Sequence, residues 1–165
     1  MLKKITLVIV LSLGSMAYGQ EIAINTFDFW LGEWELQWQK GDGTQGHGTN
    51  SIVRILDGKV IQENFEDPES GFKGMSLSVF NPISKKWHQA WADNAGGYYD
   101  FVGDIDNENP IFTTKAVQQG EKTIIQRMVF KDITKDALVW DWEKTEDGGK
   151  QWQLQWRIHY TRKKP

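Results

Sequence analysis

The sequence predicts an all-β fold, a single up-and-down antiparallel β-barrel of about ten strands with one short N-terminal helical turn. Turn-forming sequences recur every eight to fourteen residues. The segments between them are short and rich in β-branched and aromatic residues, without a long stretch at the helical period of 3.6. Tryptophans recur at even spacing within predicted strands, so that each pair shares one face. One aromatic face per strand favours a closed barrel over an open sheet.

The N-terminal residues are typical of a secretory signal peptide. Lys3 and Lys4 precede an apolar run over residues 5–13, and small residues follow at Ala17 and Gly19. We therefore expect residues 1–19 to be a signal peptide and residues 20–165 to form the β-barrel domain. The apolar run is shorter than the roughly 18 to 20 residues that a membrane-spanning helix needs. The sequence thus predicts an exported protein without a membrane span, either periplasmic or secreted.

Composition excludes several functional classes. Cleavage after Gly19 leaves 146 residues, enough for one domain with a sizeable core. The loss of Lys3 and Lys4 takes the formal charge from −3 to −5, and the remaining basic residues are scattered except at the C-terminus. Nucleic acid is therefore not an expected partner. The chain has no cysteine, which excludes disulfides, thiolate chemistry and a lipid-anchored cysteine.

Nine turn sequences divide the domain into ten predicted strands. They are Gly41–Gly43, Asp57-Gly58, Pro68–Gly71, Asn81-Pro82, Asn94–Gly97, Asn107–Pro110, Gln119-Gly120, Lys135-Asp136 and Asp147–Gly149. Helix is expected only over residues 24–31. Asp57-Gly58 suits a tight hairpin turn in which both central residues have positive φ.

The first and last strands are expected to meet and close the barrel. Trp34, Leu36 and Trp38 alternate with polar residues, which predicts one buried face. On the last strand, the inner face is expected to hold Trp152, Leu154, Trp156, Ile158 and Tyr160. An even number of strands places the last antiparallel to the first, so Arg162 should stack on the Trp34 indole. The alternative is that Arg162 belongs to a frayed basic tail.

The chain resembles a lipocalin-like, calycin-type family of exported bacterial proteins of unassigned function. The resemblance spans roughly residues 27–160, and implies a barrel fold, export and a pocket, but no activity. The sequences that carry it are FDFWLGEW from Phe27, Gly48-Thr49-Asn50, Gln62–Phe65, Gly74-Met75-Ser76, Trp87–Asp93 and Phe101-Val102-Gly103.

The resemblance places polar family positions at Asn50, Glu63, Gln89 and Asp93. Strand parity turns Gln89 and Asp93 inward if Trp87 and Trp91 face the core. We expect Glu63, Gln89 and Asp93 to form one polar cluster beside Trp91 that faces a cavity. The candidate ligand-binding residues are Asn50, Glu63, Trp87, Gln89, Trp91 and Asp93. A purely structural hydrogen-bond network is the alternative interpretation.

Metal and cofactor sites are not expected. His47, His88 and His159 are scattered, without a second ligand at the spacing that zinc requires. The acidic loop at residues 104–108 lacks the glycine and spacing of an EF-hand.

Three functions remain open at this point. The first is a non-enzymatic exported barrel that binds a small amphipathic or apolar molecule. The second is a glycan-acting enzyme or glycan-binding module, in which Glu63 and Asp93 would be the carboxyl pair of a glycosidase. The third is a structural or interaction barrel that is filled by its own aromatic side chains. The interior volume of the barrel separates the third from the other two.

Overall fold

The computed structural model describes residues 22–164, so the predicted signal peptide at residues 1–19 lies outside the described range. The all-β prediction is confirmed. No helix in the described range is long and apolar enough to cross a membrane. The elements are a 3₁₀ helix at Asp28–Trp30 and the strands β1 (Gly32–Gln39), β2 (Gln45–Ile55), β3 (Val60–Asp67), β4 (Phe72–Asn81), β5 (Lys86–Asp93), β6 (Tyr98–Asp106), β7 (Asn109–Thr114), β8 (Val117–Gln119), β9 (Lys122–Lys131), β10 (Ala137–Thr145) and β11 (Gln153–Arg162).

Ten of these strands form a closed antiparallel barrel, as the turn spacing predicts. Strands β1 to β7 pair in sequence order, β7 pairs with β9, and β9, β10 and β11 continue the order. The pairing of β11 with β1 closes the ring. The short β8 pairs only with β9 and lies outside the ring. The turn sequences predict one strand between β6 and β9. The structure has two, β7 and β8, because the chain leaves the barrel after Thr114.

The N-terminal segment plugs the end of the barrel at which β1 begins. Phe27 and Trp30 are almost fully buried there. Phe27 stacks on Phe112 with 4.3 Å between ring centroids, and it packs edge-to-face against Trp87 and Phe130. Edge-to-face and stacked aromatic pairs of this kind add to the free energy gained from burial. We call this the plugged end, and the opposite end the rim.

The closing strand pair brings Arg162 onto Trp34. The two residues are direct partners in the β1–β11 register, and the guanidinium carbon lies 4.1 Å from the centroid of the indole. Arg162 also donates hydrogen bonds to the carbonyl oxygens of Leu31 and Lys135, both at 2.8 Å. Gly32 has φ of +128°, and a Cβ there would collide with the Arg162 guanidinium. Glycine is thus required at residue 32 on two counts.

The start of β11 differs from the sequence prediction. The register between β10 and β11 shifts between Trp142 and Glu143, so that Trp142 faces Trp156 but Glu143 faces Leu154. Such a bulge inserts one residue and exchanges the inner and outer faces beyond it. Leu154 is consequently exposed, and Trp152 lies against the Arg127 guanidinium instead of facing the interior. The inner face of β11 therefore begins at Trp156.

The middle of strand β4 has its apolar residues on the outer face. Met75, Leu77 and Val79 are each about two-fifths exposed, whereas the intervening glycine and serines, Gly74, Ser76 and Ser78, are buried. The small inner residues leave space for larger side chains from β3 and β5. In particular, the indole of Trp91 lies against Gly74, where any Cβ would overlap the ring.

Candidate functional site

A cavity of about 200 Å³ occupies the rim half of the barrel. Its wall is mostly aromatic and is formed by residues of β3–β6 and β9–β11. Phe72, Asp93 and Tyr99 lie where strands end or begin at the rim and are partly exposed, so the cavity reaches solvent there. The lining residues are Glu63, Phe65, Phe72, Trp91, Asp93, Tyr99, Phe101, Met128, Trp140, Trp142, Trp156, Ile158 and Tyr160.

Glu63 is the one charged side chain among those lining residues that is buried, with 5% of its surface exposed. It lies on β3 between the inward residues Ile61 and Phe65. The Asn50 side-chain amide donates a hydrogen bond to Oε1 at 2.7 Å, and the Ser76 hydroxyl donates to Oε2 at 2.7 Å. The same Asn50 amide donates to the Tyr160 hydroxyl at 3.1 Å. Strands β2, β3, β4 and β11 thus each supply one member of this group, which we call the Glu63 cluster.

The electrostatics of the Glu63 cluster are dominated by burial. Burial raises the pKa of Glu63 from its usual 4.5 to about 7, and the hydrogen bonds from Ser76 and Asn50 act against that rise. Burial, together with the nearby Glu63 charge, also raises the pKa of the Tyr160 hydroxyl. Within residues 22–164, Glu63 makes no ion pair with a lysine, arginine or histidine, and its hydrogen-bond donors are neutral. Near neutral pH the carboxyl group therefore lies between its two protonation states.

Asp93 lies at the rim of the same cavity and is held by its own turn. Its carboxylate accepts hydrogen bonds from the backbone N–H of Gly97 at 2.8 Å and of Ala95 at 3.0 Å, and from the Trp91 indole at 3.1 Å. Burial acts to raise the pKa of Asp93, but these hydrogen bonds outweigh it and hold the pKa below the usual value. Asp93 consequently fixes the β5–β6 turn and the orientation of Trp91.

The predicted site residues do not form one cluster. Glu63 and Asp93 line the same cavity, but Gln89 does not line it and instead donates a hydrogen bond to Ser78 at 2.9 Å. Trp87 lies at the plugged end, where its indole donates to the Ala23 carbonyl at 2.8 Å. The expectation of a single group of Glu63, Gln89 and Asp93 is therefore wrong, since parity fixes the face of a residue but not its height in the barrel. A ligand-binding role for these residues stays a prediction.

Sequence reasoning missed two polar members of the Glu63 cluster and part of the wall. Ser76 was missed because the middle of β4 has its apolar residues on the outer face and its serines on the inner face. Tyr160 was assigned to the inner face, but its pairing with Asn50 depends on closure of the barrel, which brings together residues 110 positions apart. Trp156 was correctly assigned to the inner face, but Trp140 and Trp142 were not assigned to a cavity wall, although their even spacing puts both on one face.

The site suits binding of an apolar group with one polar end. Across residues 22–164, no group of three or more histidine, aspartate or glutamate residues is arranged to hold a metal ion. The wall offers indole and phenyl faces, and the Glu63 carboxyl offers hydrogen-bonding capacity away from solvent. Convergent polar groups in a mostly apolar cavity are typical of small-molecule sites.

No family model matches this chain. No curated protein matches it either.

Proposed function

We propose that this chain is an exported, lipocalin-like barrel that binds one small apolar or amphipathic molecule without transforming it. The observation that carries the proposal is the aromatic cavity of about 200 Å³, which lies in the rim half of the barrel and reaches solvent at the rim. A structural barrel filled by its own side chains would not leave such a space. The predicted signal peptide at residues 1–19 supports export.

The volume of the cavity limits the ligand. Pockets for drug-sized molecules measure about 300 to 1,000 Å³, so the ligand of this cavity is smaller. At about 30 Å³ for each water in the liquid, 200 Å³ corresponds to roughly seven water-sized groups. Burial of about 200 Å² of apolar ligand surface would contribute roughly 5 kcal/mol before the entropic cost of association. We therefore expect the protein to bind its ligand with modest affinity, which depends on how well the shape of the ligand fits the cavity.

A second candidate is a glycoside hydrolase that uses Glu63 and Asp93. The observation that favours it is that two carboxyl groups with pKa values shifted in opposite directions line one cavity. The site is less well suited to this reaction, because the Asp93 carboxylate already accepts two hydrogen bonds from its turn and one from the Trp91 indole. Release of reducing sugar that is lost in both Glu63→Gln and Asp93→Asn would establish this activity in place of simple binding.

The binding proposal is tested by filling the cavity. Met128 lines the cavity, so Met128→Trp should occupy the space of the ligand, whereas Met75→Trp adds the same indole to the outer face of β4. Calorimetric titration with 2-phenylethanol, a small neutral probe, should give saturable 1:1 binding to the wild type and to Met75→Trp. We expect binding to Met128→Trp to be weaker by about tenfold or more, since about 1.4 kcal/mol of lost contact suffices for that.

Two results would overturn the binding proposal. One is the absence of saturable binding to the wild type across a panel of small aromatic and aliphatic alcohols. The other is binding to a correctly folded Met128→Trp with unchanged affinity, which would place the ligand outside the barrel.

A further inference from the structure

We propose that the ligand is a small organic cation, an amine with an apolar body, whose ammonium group pairs with the Glu63 carboxylate inside the cavity. This inference rests on the proposed function and names the class of ligand for the same cavity. It is carried by the charge balance of the cavity, the geometry of the Glu63 cluster and the composition of the wall.

The ionisable side chains that line the cavity can supply negative charge but no positive charge. Its lining residues include two carboxyl groups, Glu63 and Asp93, and no lysine, arginine or histidine. Asp93 is satisfied by hydrogen bonds from its own turn, whereas Glu63 is buried beside neutral donors only. A buried carboxylate without a cation is costly, and a pairing cation removes much of that cost. A ligand with a positive charge thus supplies what the described part of the chain lacks.

The Glu63 cluster holds the carboxylate ready to accept hydrogen bonds. Asn50 donates to one oxygen and Ser76 to the other, which fixes the group and leaves further lone pairs on both oxygens. The Asn50 amide nitrogen donates both to Glu63 and to Tyr160. Its oxygen is left buried without a hydrogen-bond partner. The cluster therefore has an excess of acceptors, to which a donor-rich ammonium is complementary.

The wall of the cavity suits a cation with an apolar body. Trp140 and Trp142 are nearly parallel, with ring centroids 6.3 Å apart, and Trp156 meets Trp140 edge-to-face at 5.8 Å. Indole faces carry negative potential and attract cations, most strongly where water is excluded. The same rings bury the apolar part of a ligand. An anionic ligand, in contrast, would meet two carboxyl groups and no positive side chain.

The protonation state of Glu63 provides a readout of ligand charge. The pKa of Glu63 near 7 means that an ammonium must select the ionised form and release a proton when it binds below that pH. The other titratable groups that line the cavity are Asp93 on β5, Tyr99 on β6 and Tyr160 on β11. The neighbours of Glu63 on β2 and β4, Asn50 and Ser76, do not titrate. Proton release during amine binding near pH 6 is therefore assigned to Glu63.

The test compares 2-phenylethylamine with its neutral isostere 2-phenylethanol by calorimetry at pH 8. Each unit by which the ammonium lowers the pKa of Glu63 is worth about tenfold in affinity, so we expect the amine to bind at least about tenfold more tightly than the alcohol. At pH 6 the amine, but not the alcohol, should release a proton, measured from titrations in buffers of different ionisation enthalpy. Glu63→Gln should remove the preference for the amine over the alcohol.

Glu66→Gln is the matched control. Glu66 lies on the same strand but is exposed and pairs with Lys73 at 3.1 Å, so its neutralisation should leave the amine preference unchanged. If Glu63→Gln does not fold, the wild-type pH series decides: amine affinity should rise by about tenfold or more from pH 5 to pH 8, while alcohol affinity stays constant.

The outcomes separate this inference from the proposed function. Alcohol binding with no tighter amine binding, or an amine preference that survives in Glu63→Gln, overturns the cation assignment and leaves a neutral-ligand barrel. A flat pH series for the amine overturns it as well. Failure of both probes to bind the wild type overturns the cation assignment and counts against the proposed function.

Discussion

The guanidinium of Arg162 lies 4.1 Å from the centroid of the Trp34 indole and donates a hydrogen bond to the Leu31 carbonyl at 2.8 Å. One residue on the last strand therefore contacts the first strand and the segment that plugs the barrel. The Trp34 indole in turn donates to the Trp30 carbonyl at 2.8 Å. Closure of the barrel and attachment of the plug thus depend on the same group of contacts.

We predict energetic coupling between Trp34 and Arg162. Trp34→Ala should lower the free energy of unfolding by roughly 3 to 5 kcal/mol, the range for a buried large aromatic side chain. Arg162→Ala should cost less, since the arginine is only partly buried. Urea denaturation of both single variants and the double variant should give a coupling energy of about 0.5 to 2 kcal/mol.

The control for that cycle is Arg162→Lys, which keeps the positive charge but loses the planar group that stacks and donates to two carbonyls. It should recover only part of the stability lost in Arg162→Ala. Strict additivity of the two alanine substitutions would show that the cation–π contact contributes nothing measurable.

The fold follows from local sequence signals more directly than the site does. The Asp57-Gly58 turn has positive φ at both residues, as that pair predicts, and the even spacing of tryptophans predicts a closed barrel. The inner face of β11 was wrongly predicted to include Trp152 and Leu154, because no residue in the sequence marks the bulge that turns them away from the interior. Bulges depend on the register of two strands, which parity within one strand does not report.

The site depends on relationships that only the closed barrel creates. Parity placed Gln89 and Asp93 on the inner face, but Gln89 lies against Ser78 and Asp93 at the rim. Glu63 was identified from the family resemblance, whereas its partner Ser76 lies in the middle of β4, where the apolar residues face outward. Height in the barrel is set by strand stagger, and a single sequence carries little information about stagger.

We predict that Asp141 anchors the outer face of β9, β10 and β11. It is fully buried and accepts hydrogen bonds from Arg157 at 2.7 Å and from Lys131 at 2.6 Å. Burial acts to raise the pKa of Asp141, but these cations outweigh it and hold the pKa below its usual value. Asp141→Asn should lower the free energy of unfolding by roughly 1 to 3 kcal/mol, because it removes the charge-assisted hydrogen bonds that satisfy a buried group.

The control for Asp141 is Asp104→Asn. Asp104 is largely exposed and lies 3.8 Å from Lys86, so its replacement should change the free energy of unfolding by no more than about 0.5 kcal/mol. If the two substitutions change the free energy of unfolding equally in urea denaturation, the ion pairs of Asp141 contribute no more to stability than the exposed pair of Asp104.

Export of the chain remains a prediction from the sequence. The mature protein should begin near Gln20, after the small residues Ala17 and Gly19. N-terminal sequencing of protein recovered from the periplasm or medium would establish the cleavage site. Replacement of the apolar residues 5–13 by polar ones should retain the chain inside the cell. Full-length protein with an intact Met1 in a membrane fraction would contradict the prediction.

The last prediction concerns the stability of the unliganded protein as a function of pH. Folding raises the pKa of Glu63 from 4.5 to about 7, so between these values the folded chain holds a proton that the unfolded chain releases. Stability should therefore fall as the pH rises through this window, by a total on the order of 3 kcal/mol, and level off above it.

Glu63→Gln, which carries no charge at any pH, should lack this loss. Urea denaturation of both proteins from pH 4 to pH 8 measures the difference, in which the titration of other groups largely cancels. The variant should become more stable relative to the wild type as the pH rises. A constant difference across that range would mean that the Glu63 carboxyl ionises normally and is not held in a dry site.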